Sequence, residues 1–167
     1  MAYHGLGGGL DEDRAGGMLA LIQQVPAGLN AYLCSKNFAL YRDRVGALVV
    51  FGEKLGVELA RSNLIAIARA SYSMPPDHGA SVVSLILQTG HLTGLWRREL
   101  DAMRLRVRQL REALATLGTA GGVDLAPLAR QKGFFSVLSL STDAIVELRE
   151  RFGKMIEIDA HTYPIGE

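Results

Sequence analysis

CSKNFALYRDRVGAL, residues Cys34–Leu48, joins two short apolar runs, LNAYLCS (29–35) and VGALVVF (45–51). Both runs are bounded by turn residues and have the length of strands buried on both faces, as in an α/β sheet. A lysine at such a place is unusual, because lysines are nearly always solvated. Lys36 stands at the end of the first run and Arg44 just before the second. In open α/β sheets, ligands bind beyond the carboxyl ends of strands. Partial desolvation there favours the neutral amine, which is the form that attacks an aldehyde. Arg44 offers a planar fork of donors suited to phosphate, and Ser35 adds a hydroxyl.

Outward from this segment, composition sets wide bounds. A chain of 167 residues is long enough for one domain and part of a second. The formal net charge of +1 gives no reason to expect nucleic acid or an anionic membrane as partner. A lone cysteine, Cys34, forms no intrachain disulfide and spells no zinc cluster. MAYHGLGGG lacks the basic and apolar regions of a signal peptide, and no apolar run is long enough to span a bilayer. The expectation is a soluble, cytoplasmic protein.

The order of elements predicts an α/β part followed by a long helix and a small α+β part. GLGGG opens as a turn, and Asp11, Glu12 and Asp13 fall in the first turn of a helix weakened by Gly16 and Gly17 and stopped by Pro26. Residues 53–71 read as an amphipathic helix. Pro75–Pro76 is a break, with Asp77 as cap of the next helix. Leu92, Trp96, Leu100, Met103, Val107, Leu110, Leu114 and Leu117 step by threes and fours, the stripe of one long helix. GFFSVLSL (133–140) reads as a strand. STDAIVELRERFG (141–153) reads as a helix capped by Ser141 or Thr142 and stopped by Gly153. The expected division is residues 1–95, the end of a large domain, and 96–167, a linking helix with an incomplete small domain.

A reactive lysine beside a phosphate site points to pyridoxal 5'-phosphate (PLP), whose aldehyde and phosphate need those two partners. SKNFALYRDRVGAL resembles the cofactor-lysine segment of class I aminotransferases, in the aspartate and aromatic amino-acid branch, which reads S-K-N-F-G-L-Y-x-E-R-V-G. AYHGLGGGLDED (2–13), ARASYSMPPDHGASVV (68–83), ELDAMRLRVRQLREAL (99–114) and GFFSVLSLSTDAIVELRERFG (133–153) are similar to further blocks of that family, in the same order. The resemblance covers Ala2 to about Gly153. It implies a fragment of the type I PLP-dependent transferase fold, with part of the large-domain sheet, the linking helix and an incomplete small domain. The implied activity is transamination between an amino acid (aspartate, glutamate or aromatic) and a 2-oxo acid.

The same resemblance assigns roles. Lys36 matches the lysine that forms a Schiff base with PLP and then shuttles protons. Tyr3 matches the tyrosine that hydrogen-bonds the cofactor's ring oxygen. Ser35 and Arg44 match residues that hold the phosphate, and Ser73 one that touches the neighbouring subunit's phosphate. Arg69 matches an arginine that pairs across the dimer with a substrate's distal carboxylate, and Phe135 an aromatic residue lining the site. A homodimer is therefore implied.

The pattern also departs from the family. The family's ring-nitrogen aspartate falls one place before Met1, Leu33 replaces a phosphate-holding serine, and no arginine follows Arg151 to take the α-carboxylate. A truncated reading frame is the expectation, with exposed strand edges and poor solubility. The alternative function is an inactive remnant that at most binds PLP or packs against a full-length subunit. Other motifs carry bland readings. GLGGG lacks the dinucleotide fingerprint and reads as a plain turn. Arg97, Arg98, Arg104, Arg106, Arg108 and Arg111 alternate with acids, as on a solvated helix face. His4, His78, His91 and His161 lack metal spacing. Ser139, Ser141 and Asp143 lack a matching histidine for a triad. Cys34 reads as a small hydrophobe before it reads as a reactive thiol.

Overall fold

A computed structural model describes residues 1–152. Its first helix begins as α1 (Leu10–Asp13), widens into a π-helical turn at Arg14–Leu19, and closes as α2 (Ala20–Gln24). The widening spans Gly16 and Gly17, where the backbone is least constrained. Val25 is extended (φ −125°, ψ 140°), as the residue before a proline must be, so Pro26 ends the helix as expected.

Strands β1 (Gly28–Leu33) and β2 (Gly46–Phe51) form an antiparallel hairpin in which Gly28 faces Phe51 and Leu33 faces Gly46. The expectation of strands buried on both faces is not met. Along β1 half-buried and exposed residues alternate, and Gly46–Val49 of β2 are exposed. The half-buried side carries Asn30 and Tyr32, while Leu29 and Leu33 face out. Among the described residues this sheet has only two strands, and the outward Leu29, Leu33 and Leu48 are exposed.

Helix α3 (Lys54–Tyr72) follows the predicted span closely. It is amphipathic without a cover: Leu55 and Leu59 are 60% and 59% exposed, and Ile67 is 61% exposed. After the Pro75–Pro76 break comes α4 (His78–Gln88). Asp77 stands at its cap position, but its carboxylate accepts from the Ser81 hydroxyl (2.8 Å) instead of a helix amide. Gly79 is buried, and a Cβ there would meet the side chains of Val45 and Asp43. A glycine therefore lets α4 start against the end of the Lys36 turn.

Helix α5 (Gly90–Ala115) has 26 residues, about 39 Å at roughly 1.5 Å per residue. Its two halves hold different parts. The first half donates from Trp96 Nε1 to the Asn37 carbonyl (2.6 Å) and buries Leu100. The second packs on a 3₁₀ turn (Ala126–Arg130) whose Leu128 is 2% exposed; the small hairpin β3 (Thr119–Ala120) and β4 (Val123–Asp124) comes between them in sequence. The stripe closes only in part, since Met103, Leu110, Leu114 and Leu117 stay exposed.

No strand forms over residues 133–140. The backbone there is capped by side chains instead of a neighbouring strand. The Gln131 amide donates to the Val137 carbonyl (2.8 Å) and accepts from the Val137 N–H (2.7 Å). Arg111 takes the Gly133 and Phe135 carbonyls. Helix α6 (Thr142–Phe152) then starts on Ser141, whose hydroxyl accepts from Ala144 N–H at 3.2 Å. The expected stop at Gly153, and His161, lie outside the described residues.

Candidate active site

The turn between β1 and β2 is closed at its base by a bond from Cys34 N–H to the Val45 carbonyl (3.0 Å). Ser35 and Arg44 are the next residues inward on either side, so both leave the same closed end. Within the turn the Cys34 carbonyl accepts from Phe38 and Leu40, and Ala39 donates to the Lys36 carbonyl. Ala39 (φ 56°) and Arg44 (φ 53°) are left-handed, a conformation costly for residues with a Cβ. Ala39 stands where the resembling family pattern has glycine. The Arg44 guanidinium is exposed and donates to the Tyr41 carbonyl at 3.0 Å.

Lys36 is half-buried, with Nζ 4.3 Å from the centroid of the Tyr41 ring and 5.9 Å from that of Tyr3. Both lie within reach of the attraction between an ammonium and a π face. Tyr3 in turn stacks on Phe134 (5.5 Å, 20°) and meets Phe135 edge-on (5.0 Å, 79°). Three of the predicted site residues, Tyr3, Lys36 and Phe135, are thus brought together from positions far apart in the chain. The Phe134–Phe135 pair is held there by Arg111, which is 6% exposed and donates Nε to Ser136 Oγ (2.8 Å) and Nη2 to the Phe135 carbonyl (2.8 Å). This corrects the reading of Arg111 as part of a solvated face. Arg104 and Arg108 do pair with acids on their own helix, Asp101 and Glu112. The signal for Arg111 was its place four residues after Val107, on the apolar stripe.

Arg69 and Ser73 lie at the C-terminal end of α3, both exposed. Among the described residues neither side chain joins the Lys36 cluster. The glycine turn has a more specific role than expected. Its amides converge on the Asp13 carboxylate, from Gly5 (2.8 Å), Gly7 (3.0 Å) and Gly8 (2.7 Å). This is an anion-binding concavity already filled by the chain's own carboxylate. An open cleft of about 500 Å³ lies beside it, walled by Tyr3, Gly8, Asp13 and Gly133 among others, and Lys36 is not in its wall.

A polar network behind the site was not anticipated. Asn37, 1% exposed, donates to the Tyr32 hydroxyl (2.5 Å), which also meets His4 Nδ1 (3.0 Å). His4 Nε2 lies 2.8 Å from the Leu10 carbonyl. A carbonyl only accepts, so Nε2 carries a proton; in the tautomer protonated there, Nδ1 accepts from Tyr32. Burial pushes the Tyr32 phenol above its ordinary range, partly opposed by the Asn37 bond and reinforced by Cys34. Burial also pushes the Cys34 thiol up, which fits a small hydrophobe and not an activated nucleophile. The signal for this network was Tyr32, a polar-tipped residue on the half-buried side of β1. Among the described residues no cluster of His, Cys, Asp or Glu has metal-binding geometry, and no helix is long and apolar enough to cross a membrane.

Comparison with known proteins gives the family and the fold. The family described as aminotransferase class I and II matches residues 1–158. The chain is 45% identical over 154 residues to the tyrosine aminotransferase of Rhizobium meliloti, covering 92% of this chain and 39% of that protein. It is 40% identical over 155 residues to the aspartate aminotransferase of Escherichia coli, again covering 39% of the relative. Among solved structures, an aromatic-amino-acid aminotransferase from Burkholderia pseudomallei covalently bound to pyridoxal phosphate matches with a TM-score of 0.77 at 34% identity, over 91% of this chain and 39% of that one. An aromatic amino acid aminotransferase with 3-indolebutyric acid matches with a TM-score of 0.80 at 39% identity, covering 91% and 39% of the two chains. The chain therefore spans about 39% of the length of these relatives and has the fold of part of them. It belongs to the class I and II aminotransferase family.

Proposed function

We propose that this chain carries the cofactor-lysine part of a PLP-dependent aminotransferase, which moves an amino group between an aspartate, glutamate or aromatic amino acid and a 2-oxo acid. The observation that carries the reading is the convergence of Lys36, Tyr3 and Phe135 from three separate segments. The donor set fits the cofactor. Lys36 supplies an amine for its aldehyde, the Tyr3 phenol a donor for its ring oxygen, and Ser35 and Arg44 a hydroxyl and a guanidinium at one closed end of a hairpin for its phosphate. When bound, PLP supplies an electron-withdrawing ring that accepts the electron pair released at the substrate's α-carbon.

The chain's own residues do the rest. Lys36 accepts and returns a proton at its Nζ, and the Tyr3 ring holds that amine on one side. Phe135, itself 65% exposed, stands at the site edge against the Tyr3 ring. In this reading Arg69 and Ser73 serve a second copy in a homodimer, Arg69 toward a substrate carboxylate and Ser73 toward a phosphate. Their exposure at the end of α3, away from this chain's own lysine, supports that assignment. The compartment proposed is the cytoplasm.

The uncovered apolar residues of α3 and β2 favour a second reading, in which the chain works only when packed against a longer subunit of the family. Both readings are tested by adding PLP to the purified chain and recording the visible absorbance, with Lys36→Ala alongside. A visible band that requires Lys36, and that borohydride replaces with a near-ultraviolet absorbance retained on dialysis, supports the first. A band seen only after adding a full-length relative supports the second, and no Lys36-dependent band in either case overturns both.

A further inference from the structure

We propose that Tyr32 is a positioning residue: its hydroxyl clamps together the two segments that carry Tyr3 and Lys36. The inference rests on the reading of Tyr3 and Lys36 as a working pair. His4 follows Tyr3 directly and Asn37 follows Lys36 directly. Both bond the same hydroxyl, Asn37 Nδ2 donating at 2.5 Å and His4 Nδ1 accepting at 3.0 Å. One phenol thus joins the neighbours of the two site residues across a separation of 33 positions in sequence (37 minus 4).

Each arm of the clamp is anchored in turn. On the Tyr3 side, His4 Nε2 donates to the Leu10 carbonyl (2.8 Å), which fixes the tautomer that Tyr32 needs. On the Lys36 side, the Asn37 carbonyl accepts from Trp96 Nε1 (2.6 Å), and Phe38 stacks on the Trp96 ring (4.5 Å, 9°). Phe38 and Trp96 fix the turn to α5; among the described residues only the Tyr32 hydroxyl links that turn by side-chain hydrogen bonds to the segment of Tyr3, beside the backbone bonds of Met1 with Ala31 and Leu33 in β1. Burial keeps the phenol protonated, so its hydrogen stays available to His4. Side chains that hold a functional pair within a fraction of an ångström are what a working site requires of its surroundings.

The test needs no cofactor. The full chain is labelled with ¹³C-lysine, and nuclear Overhauser contacts are recorded from the Lys36 methylenes to the Tyr3 and Tyr41 rings, with Lys36→Arg for assignment. Tyr41 lies on the same turn as Lys36, so its contact is an internal reference that the clamp does not control. In Tyr32→Phe, which keeps the ring and loses the hydroxyl, the Tyr3 contact is expected to fall at least twofold relative to the Tyr41 contact. His4→Phe, which cuts the same clamp from the other arm, is expected to do likewise. An unchanged ratio in both variants overturns the proposal. Loss of both contacts in both variants also overturns it, because the network is then part of the core and not a positioning device. Failure of PLP to bind leaves this ratio unaffected, so the clamp and the cofactor reading stand or fall separately.

Discussion

The turn that carries Lys36 and the helix α3 that follows the hairpin are close in sequence and opposite in character. The turn is tied down on every side: Cys34 to Val45, Asn37 to Tyr32 and Trp96, Phe38 against the Trp96 ring. Helix α3 has a regular backbone and an apolar face, yet Leu55, Leu59, Ile65 and Ile67 are all exposed. The difference separates what this chain completes by itself from what it leaves for another surface. A site can be locally assembled by a polar network and one long helix, while the surrounding layers wait for a partner. Apolar residues left open on this scale mark an interaction surface or an aggregation hazard.

Substitution breaks or sharpens the contrast. The largest effect belongs to Leu100, which is 1% exposed and lies against the positive-φ Gly5. Leu100→Ala is expected to lower stability by about 3 kcal/mol through lost burial and a residual cavity, read by urea denaturation. Arg111→Met comes next. It strips donors from the Gly133 and Phe135 carbonyls and from Ser136. The expected loss is about 2 kcal/mol, with Phe134 and Phe135 released from Tyr3 and their ring contacts gone from the NMR spectrum. A smaller change of opposite sign is expected at Ala39 (φ 56°). Ala39→Gly relieves a left-handed Cβ at some entropic cost, for a net gain of about 0.5 kcal/mol in the same denaturation. The smallest effect lies on α3, where Leu59→Lys should change the unfolding midpoint of the monomer by less than about 0.5 kcal/mol while reducing self-association in sedimentation. A loss comparable to that at Leu100 would mean that α3 is covered after all and would remove the contrast.

Much of this was legible in the sequence, for identifiable reasons. The spans of α3, α5 and α6 follow from apolar steps of three and four, and from Pro26, the Pro75–Pro76 pair and Ser141, each of which acts locally. The gathering of Tyr3, Lys36 and Phe135 followed from motif resemblance and not from periodicity. The failures have two causes, tertiary satisfaction of polar groups and, for the hairpin, the lack of a covering layer among the described residues. GFFSVLSL has the composition of a strand, but Gln131 and Arg111 take its backbone bonds. The apolar runs around Lys36 promised a sheet buried on both faces, and the half-buried side of β1 instead holds Asn30 and Tyr32. Arg111 looked like one of a set of surface arginines because charge alternation along a helix does not reveal which residue faces the core.

The central proposal is that Lys36, alone among the described lysines, sits in a prepared site for an aldehyde cofactor. The most direct test is to treat the chain with a limiting amount of PLP, reduce with borohydride, digest, and locate the adduct by mass. The account predicts the label on the peptide containing Lys36, in clear preference to those with Lys54, Lys132 and Lys154. Labelling spread evenly over the four peptides would show an ordinary surface amine and would contradict it.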